Sequence, residues 1–113
     1  MKGMTSGAEI KAVLDAERSL VPFVIFRDDQ SAQALVVLRD DRPLLTIGRH
    51  SSCDISLPWD EKVSRTHAVL ERLGQAWTIA DDGISRNGTF LNTTRLASRQ
   101  RLVDRDIVRV GST

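Results

Sequence analysis

The sequence is poor in cysteine, proline and aromatic residues, and it has no tyrosine. Its one cysteine, Cys53, has no partner for an internal disulfide. With only two histidines beside it, a structural zinc site is not expected, because such sites take four Cys or His ligands. The aromatics are Phe23, Phe26, Trp59, Trp77 and Phe90, too few for a base-stacking surface. The longest apolar run, Leu20–Phe26, falls well short of the roughly 20 residues that span a bilayer. No basic segment followed by an apolar stretch opens the chain, so no secretion signal is read and a cytoplasmic location is expected.

What is present is ordinary for a folded chain. A length of 113 residues suits one domain. A hydrophobic fraction of 41% and a charged fraction of 27% exclude a wholly disordered chain, a collagen-like repeat and a coiled coil. The net charge of +1 hides an uneven distribution. In residues 86–113, six arginines stand against Asp104 and Asp106 alone, a local net charge of +4. Such a basic third either meets an anionic partner or is simply a solvated surface.

Residues 6–20 read as a helix. Ser6 is a capping residue, and Glu9 three positions on completes a capping box. Ile10, Val13 and Leu14 fall on one face, Leu20 continues the stripe, and Pro22 blocks continuation. The residues before Ser6 read as a flexible leader, in which Thr5 is a candidate phosphosite for this domain or a neighbouring copy. After Pro22 the period changes to short apolar segments between turn signals. Strands are expected near 22–27, 34–39, 44–48, 54–57, 67–73, 76–80, 89–92 and 106–110. Leu73-Gly74-Gln75 reads as a hairpin turn, and Asp81-Asp82-Gly83 and Asn87-Gly88 as glycine-containing turns. Many short strands at this spacing indicate an antiparallel sandwich or barrel.

Little in the sequence favours catalysis. Ser64 and His67 lie close together, but no Gly-x-Ser-x-Gly elbow surrounds them, and neighbouring positions at a strand start splay apart. The adjacent acids Asp81 and Asp82 read as turn formers. A Walker-type phosphate loop and a Rossmann glycine fingerprint are both absent. No enzyme activity, metal or cofactor is expected.

The informative residues sit at loops between strands. Gly48-Arg49 ends one strand, Ser64-Arg65-Thr66-His67 begins another, and Ser85-Arg86-Asn87-Gly88-Thr89 fills a third loop. A phosphate needs fixed cationic and hydroxyl donors. Arg49 offers a planar fork that can bond two phosphate oxygens, Ser64 a hydroxyl, and Arg65 a second charge. Asn87 carries an amide able both to donate to and accept from a peptide backbone.

In this order and spacing the chain resembles the forkhead-associated (FHA) family, in its bacterial form. The resemblance runs through Gly48-Arg49, Cys53-Asp54-Ile55, Val63-Ser64-Arg65-Thr66-His67-Ala68, Trp77-Thr78-Ile79, Asp82, Ser85, Asn87-Gly88-Thr89-Phe90-Leu91-Asn92 and Leu102-Val103-Asp104-Arg105-Asp106. It implies an all-β, antiparallel FHA-like β-sandwich over residues 21–113, preceded by a leader and short amphipathic helix over 1–20. It also implies a phosphothreonine-dependent binding module in Ser/Thr kinase signalling, whose partner is a phosphothreonine-containing protein or peptide. Arg49, Ser64 and Arg65 then hold the phosphate, and Arg86 and Asn87 contact the peptide. Gly48, His67, Gly88 and Thr89 support the site, with His67 bridging the loops. Arg86 and Arg95 suggest an acidic residue a few positions after the phosphothreonine. The alternatives are a basic nucleic-acid-binding domain, or a structural assembly domain whose phosphate site does not function. Neither a membrane nor a nucleic-acid partner is expected.

Three departures accompany the resemblance. Thr93 and Arg105 stand where the family usually has glycine, and a final strand that would pair onto the first is not seen before Thr113. An unpaired, strongly apolar first strand, Val21–Phe26, favours self-association by edge pairing or by exchange of the helix or strand between copies. The apolar face of the helix is the other candidate to cover that edge.

Overall fold

The computed structural model describes residues 6–81 and 83–113, so Thr5 and Asp82 lie outside the described residues. The chain divides into two compact units, with the boundary between Arg42 and Pro43.

The first unit contains helix α1 (Gly7–Ser19) and the strands β1 (Phe23–Arg27) and β2 (Gln33–Val37), paired antiparallel. The capping box forms as the sequence indicates: Ser6 Oγ accepts the Glu9 N–H at 3.1 Å, and Glu9 Oε1 accepts the Ser6 N–H at 3.1 Å. The helix end has a different cause from the one expected. Leu20 turns into the left-handed region at φ 60°, two residues before Pro22, and its N–H donates to the Glu17 carbonyl. The apolar stripe of the helix does not form a buried face, since Ile10 and Leu14 are 50% and 44% exposed. A polar contact holds the helix instead. Glu9 Oε2 accepts from Arg27 Nη1 at 2.9 Å and from the Gln33 N–H at 2.7 Å. With the Ser6 N–H and Gln33 N–H bonds as main causes and Arg27 adding to them, the Glu9 carboxyl lies below its ordinary pKa. Among the described residues β1 pairs with β2 alone.

The second unit carries the strands β3 (Leu44–Gly48), β4 (Ile55–Ser56), β5 (Ala68–Leu73), β6 (Ala76–Ala80), β7 (Thr89–Leu91), β8 (Thr94–Arg95), β9 (Gln100–Arg101) and β10 (Val108–Val110). They form a five-stranded sheet of order β4-β3-β5-β6-β9 and a three-stranded sheet of order β10-β7-β8. The pleat sends alternate side chains to one face, and the register aligns those faces: Leu45 lies opposite Leu70, and Leu70 opposite Ile79. These side chains form the core with Ile47, Ile55, Leu57, Val63, Ala68, Trp77 and Val110, all buried. The mostly-β architecture agrees with the expected sandwich class. Strands β8 and β9 were not expected: two residues each are too few to carry a visible alternation.

Both glycine replacements adopt glycine-like backbone. The β7–β8 hairpin turns through Asn92 and Thr93 at φ 48° and 72°, and Arg105 has φ 67°. Two positive φ values in a two-residue turn favour Asn-Gly, and a β-branched residue there is strained. Thr93→Gly should therefore stabilise the chain. Relief of about 1–2 kcal/mol exceeds the roughly 0.4–1 kcal/mol lost through glycine's freedom in the unfolded chain. A thermal melt several degrees higher is the expected result; an unchanged or lower melt contradicts the strain.

Candidate functional site

Three loops of the second unit meet. The first follows β3. Gly48 is buried, and a side chain there would place its Cβ 2.0 Å from the Arg65 carbonyl oxygen. That close approach lets two backbone bonds form, Arg49 N–H to the Ser64 carbonyl at 3.0 Å and His50 N–H to the Arg65 carbonyl at 3.2 Å. Buried Cys53 adds a bond from Sγ to the Arg65 carbonyl at 3.2 Å. The Arg49 and Ser64–Arg65 loops are thus joined along their backbones.

His67 joins this pair to the third loop. The ring is fully buried. Its Nδ1 accepts the Ser64 N–H at 3.0 Å, which leaves Nε2 to carry the proton and donate to the Gly88 carbonyl at 2.8 Å. A backbone N–H can only donate, so this pattern requires the neutral ring protonated at Nε2. Ser64 Oγ accepts the Arg86 N–H at 2.9 Å, and Asn87 Nδ2 donates to the Lys62 carbonyl at 2.8 Å. The Ser64 hydroxyl keeps its own proton for another acceptor, and the Asn87 amide keeps its oxygen and one N–H.

A buried carboxylate shapes the third loop from below. Asp81 accepts the Ser85 N–H at 2.9 Å, the Ser85 hydroxyl, and the Thr89 hydroxyl at 2.8 Å. Ser85 Oγ in turn accepts the Gly88 N–H at 2.9 Å. Burial pushes the Asp81 carboxyl up, but these hydrogen bonds outweigh it and hold the pKa below the ordinary aspartate value. Asp81 was read from sequence only as a turn former; the hydroxyls four and eight residues later were the signal for its role. Gly88, at φ 84°, lies against Arg95: a Cβ there would be 2.6 Å from Arg95 Nε.

All the residues singled out from the sequence therefore lie on or beneath these joined loops. Arg49, Arg65, Arg86 and Asn87 are exposed, Ser64 is half-buried, and Gly48, His67, Gly88 and Thr89 are buried. Among the described residues, no carboxylate pairs with the guanidinium of Arg49, Arg65 or Arg86. The surface thus presents three cations and a hydroxyl on a rigid base.

The FHA domain profile matches residues 45–111, more than half of the chain. The chain belongs to the FHA family. A solved FHA structure from an analysis of phosphothreonine-dependent FHA domain interactions is 31% identical, with a TM-score of 0.66 over 80% of this chain and 90% of that one. The FhaA FHA domain, complexed with the intracellular domain of Rv3910, is 32% identical, with a TM-score of 0.67 over 80% and 93%. The oxoglutarate dehydrogenase inhibitor of Corynebacterium diphtheriae is 46% identical over 52 residues, 46% of this chain. The matched stretch spans 35% of that relative's length.

Proposed function

We propose that this FHA domain binds phosphothreonine-containing peptides or proteins, as a recognition module in Ser/Thr kinase signalling and not as an enzyme. The observation that carries the reading is the joining of the Arg49, Ser64–Arg65 and Arg86–Asn87 loops through Gly48 and His67. In this reading Arg49 and Arg65 neutralise the phosphate, and the Ser64 hydroxyl donates to one of its oxygens. Asn87, with Arg86 beside it, holds the extended peptide backbone. Each charge-assisted bond to the phosphate contributes about 1.5–3 kcal/mol, which makes binding depend on phosphorylation. In this reading the module acts in the cytoplasm. The likeness to phosphothreonine-dependent FHA domains supports the same ligand here. The nucleic-acid and assembly alternatives are not favoured.

Matched peptides carrying phosphothreonine, phosphoserine or an unmodified residue test this. Phosphothreonine should bind best, because its γ-methyl adds about 0.8 kcal/mol on burial and restricts the rotamer. The unmodified peptide should not bind measurably. Indifference to phosphorylation, or steep salt dependence with nucleic acid as the better ligand, would refute the proposal.

A further inference from the structure

Helix α1 is latched near one end and strained at the other. No residue of the helix is buried, and the hydrogen bonds that hold it to the hairpin run through Glu9. The Glu9 carboxylate accepts from Arg27 Nη1 at 2.9 Å and from the Gln33 N–H at 2.7 Å, and Gln33 Nε2 donates to the Glu9 carbonyl at 3.1 Å. These partners stand on β1 and β2. A second copy of the chain therefore offers the same groups to the same helix.

The hinge is short. Pro22 already belongs to the hairpin, since its carbonyl accepts the Leu38 N–H at 2.8 Å. Only Leu20 and Val21 separate it from Ser19, the last helical residue. To close onto its own hairpin within so few residues, the chain puts Leu20 at φ 60° and ψ 14°. That left-handed conformation is unfavourable for a residue with a Cβ. No packing compensates, because the Leu20 residue is 89% exposed. A short hinge under strain favours exchange of the arm it carries: opening relieves the strain, and the exchanged arm recovers its contacts on another copy.

The surface of this unit also favours association. Of the eleven exposed large apolar residues among those described, six lie here: Ile10, Leu14, Leu20, Val21, Ile25 and Val37. Apolar exposure concentrated in one region is the mark of an interaction surface. We propose that α1 is an exchangeable arm. Two copies of the chain dimerise by each docking its helix on the other's β1–β2 hairpin, with Glu9 bonded to Arg27 and Gln33 of the other copy.

Light scattering of the full chain over a concentration series should show a monomer–dimer equilibrium. Leu20→Gly places at the hinge a residue that adopts the left-handed backbone freely, and should raise the dimer dissociation constant about tenfold or more. A charge reversal tests the exchange itself. Glu9→Arg sets two cations against each other within one chain, and Arg27→Glu sets two carboxylates. When the two variants are mixed, the altered helix of the first fits the altered hairpin of the second, and the native helix of the second fits the native hairpin of the first. The mixture should form heterodimers at concentrations where each variant alone is monomeric. Glu17→Arg mixed with Arg27→Glu carries the same net charges and should not. A parent chain that stays monomeric up to its solubility limit overturns the proposal. So does a dimer that Leu20→Gly leaves unchanged, or heterodimers that fail to form or form equally with Glu17→Arg. The exposed hinge position keeps Leu20→Gly decisive if the charge-reversed chains fold poorly.

Discussion

Replacement of Arg49 by alanine should abolish phosphopeptide binding while leaving the domain folded. The side chain is exposed, and its structural contribution is made by the backbone: the Arg49 N–H bonds the Ser64 carbonyl at 3.0 Å, a contact that alanine retains. Loss of a bidentate charge pair on a desolvated phosphate costs about 2–5 kcal/mol, enough to carry a micromolar complex toward the millimolar range. Ser64→Ala should weaken binding less, by about 1–2 kcal/mol, the value of one hydrogen bond. Calorimetric titration measures both. An Arg49→Ala chain that binds within about twofold of the parent removes Arg49 from the site.

His67→Ala should produce the opposite pattern, a large loss of stability. The ring is completely buried, and its removal leaves the Ser64 N–H and the Gly88 carbonyl without their partners. Unpaired groups cost about 1–3 kcal/mol each, and the vacated volume adds a cavity cost. A total of about 3–5 kcal/mol lowers the melting temperature by roughly 15 °C or more. Phosphopeptide affinity falls as well, because only the Arg86 N–H bond to Ser64 Oγ then ties the loop bearing Arg86 and Asn87 to Ser64. Thermal melts of the two variants give a ranking: if Arg49→Ala melts below His67→Ala, the bridging role of His67 is wrong.

The sequence and the structure agree most closely where a physical constraint is local. Strands 44–48 and 76–80 were read with the bounds observed, because their alternation and flanking turns are complete in themselves. Ser6 and Glu9 announced the helix start for the same reason. What required the tertiary fold was less legible. The stripe of Ile10, Val13 and Leu14 suggested a packed helix face, but Ile10 and Leu14 remain half-exposed, and the charged Glu9 makes the attachment. The helix and the first hairpin lie in one compact unit ending at Arg42. Periodicity does not report which distant segments pack together. Sheet order was likewise hidden, because alternation gives the face of a strand and not its neighbour.

In the site, the exposed chemistry was legible and its support was not. Arg49, Ser64, Arg65, Arg86 and Asn87 are polar residues at turn positions with no obvious folding role, so they invite a functional reading. Asp81 was read as a turn former and Asp60 drew no reading at all, yet each is buried and accepts several hydrogen bonds. For both, burial raises the carboxyl pKa and the hydrogen bonds lower it further than burial raises it. A lone aspartate in a sequence carries no mark of burial. Lys62 and Arg109 line one open cleft although 47 positions separate them, a neighbourhood that periodicity does not reveal.

The most direct test is an NMR titration of the ¹⁵N-labelled chain with a phosphothreonine peptide and its unmodified twin. The phosphorylated peptide should shift the amides of Arg49, Ser64, Arg65, Arg86 and Asn87 in one saturable process, and the twin should shift none of them. Saturable shifts that leave these amides unmoved, or equal shifts with the two peptides, would contradict a phosphate held where the three loops join.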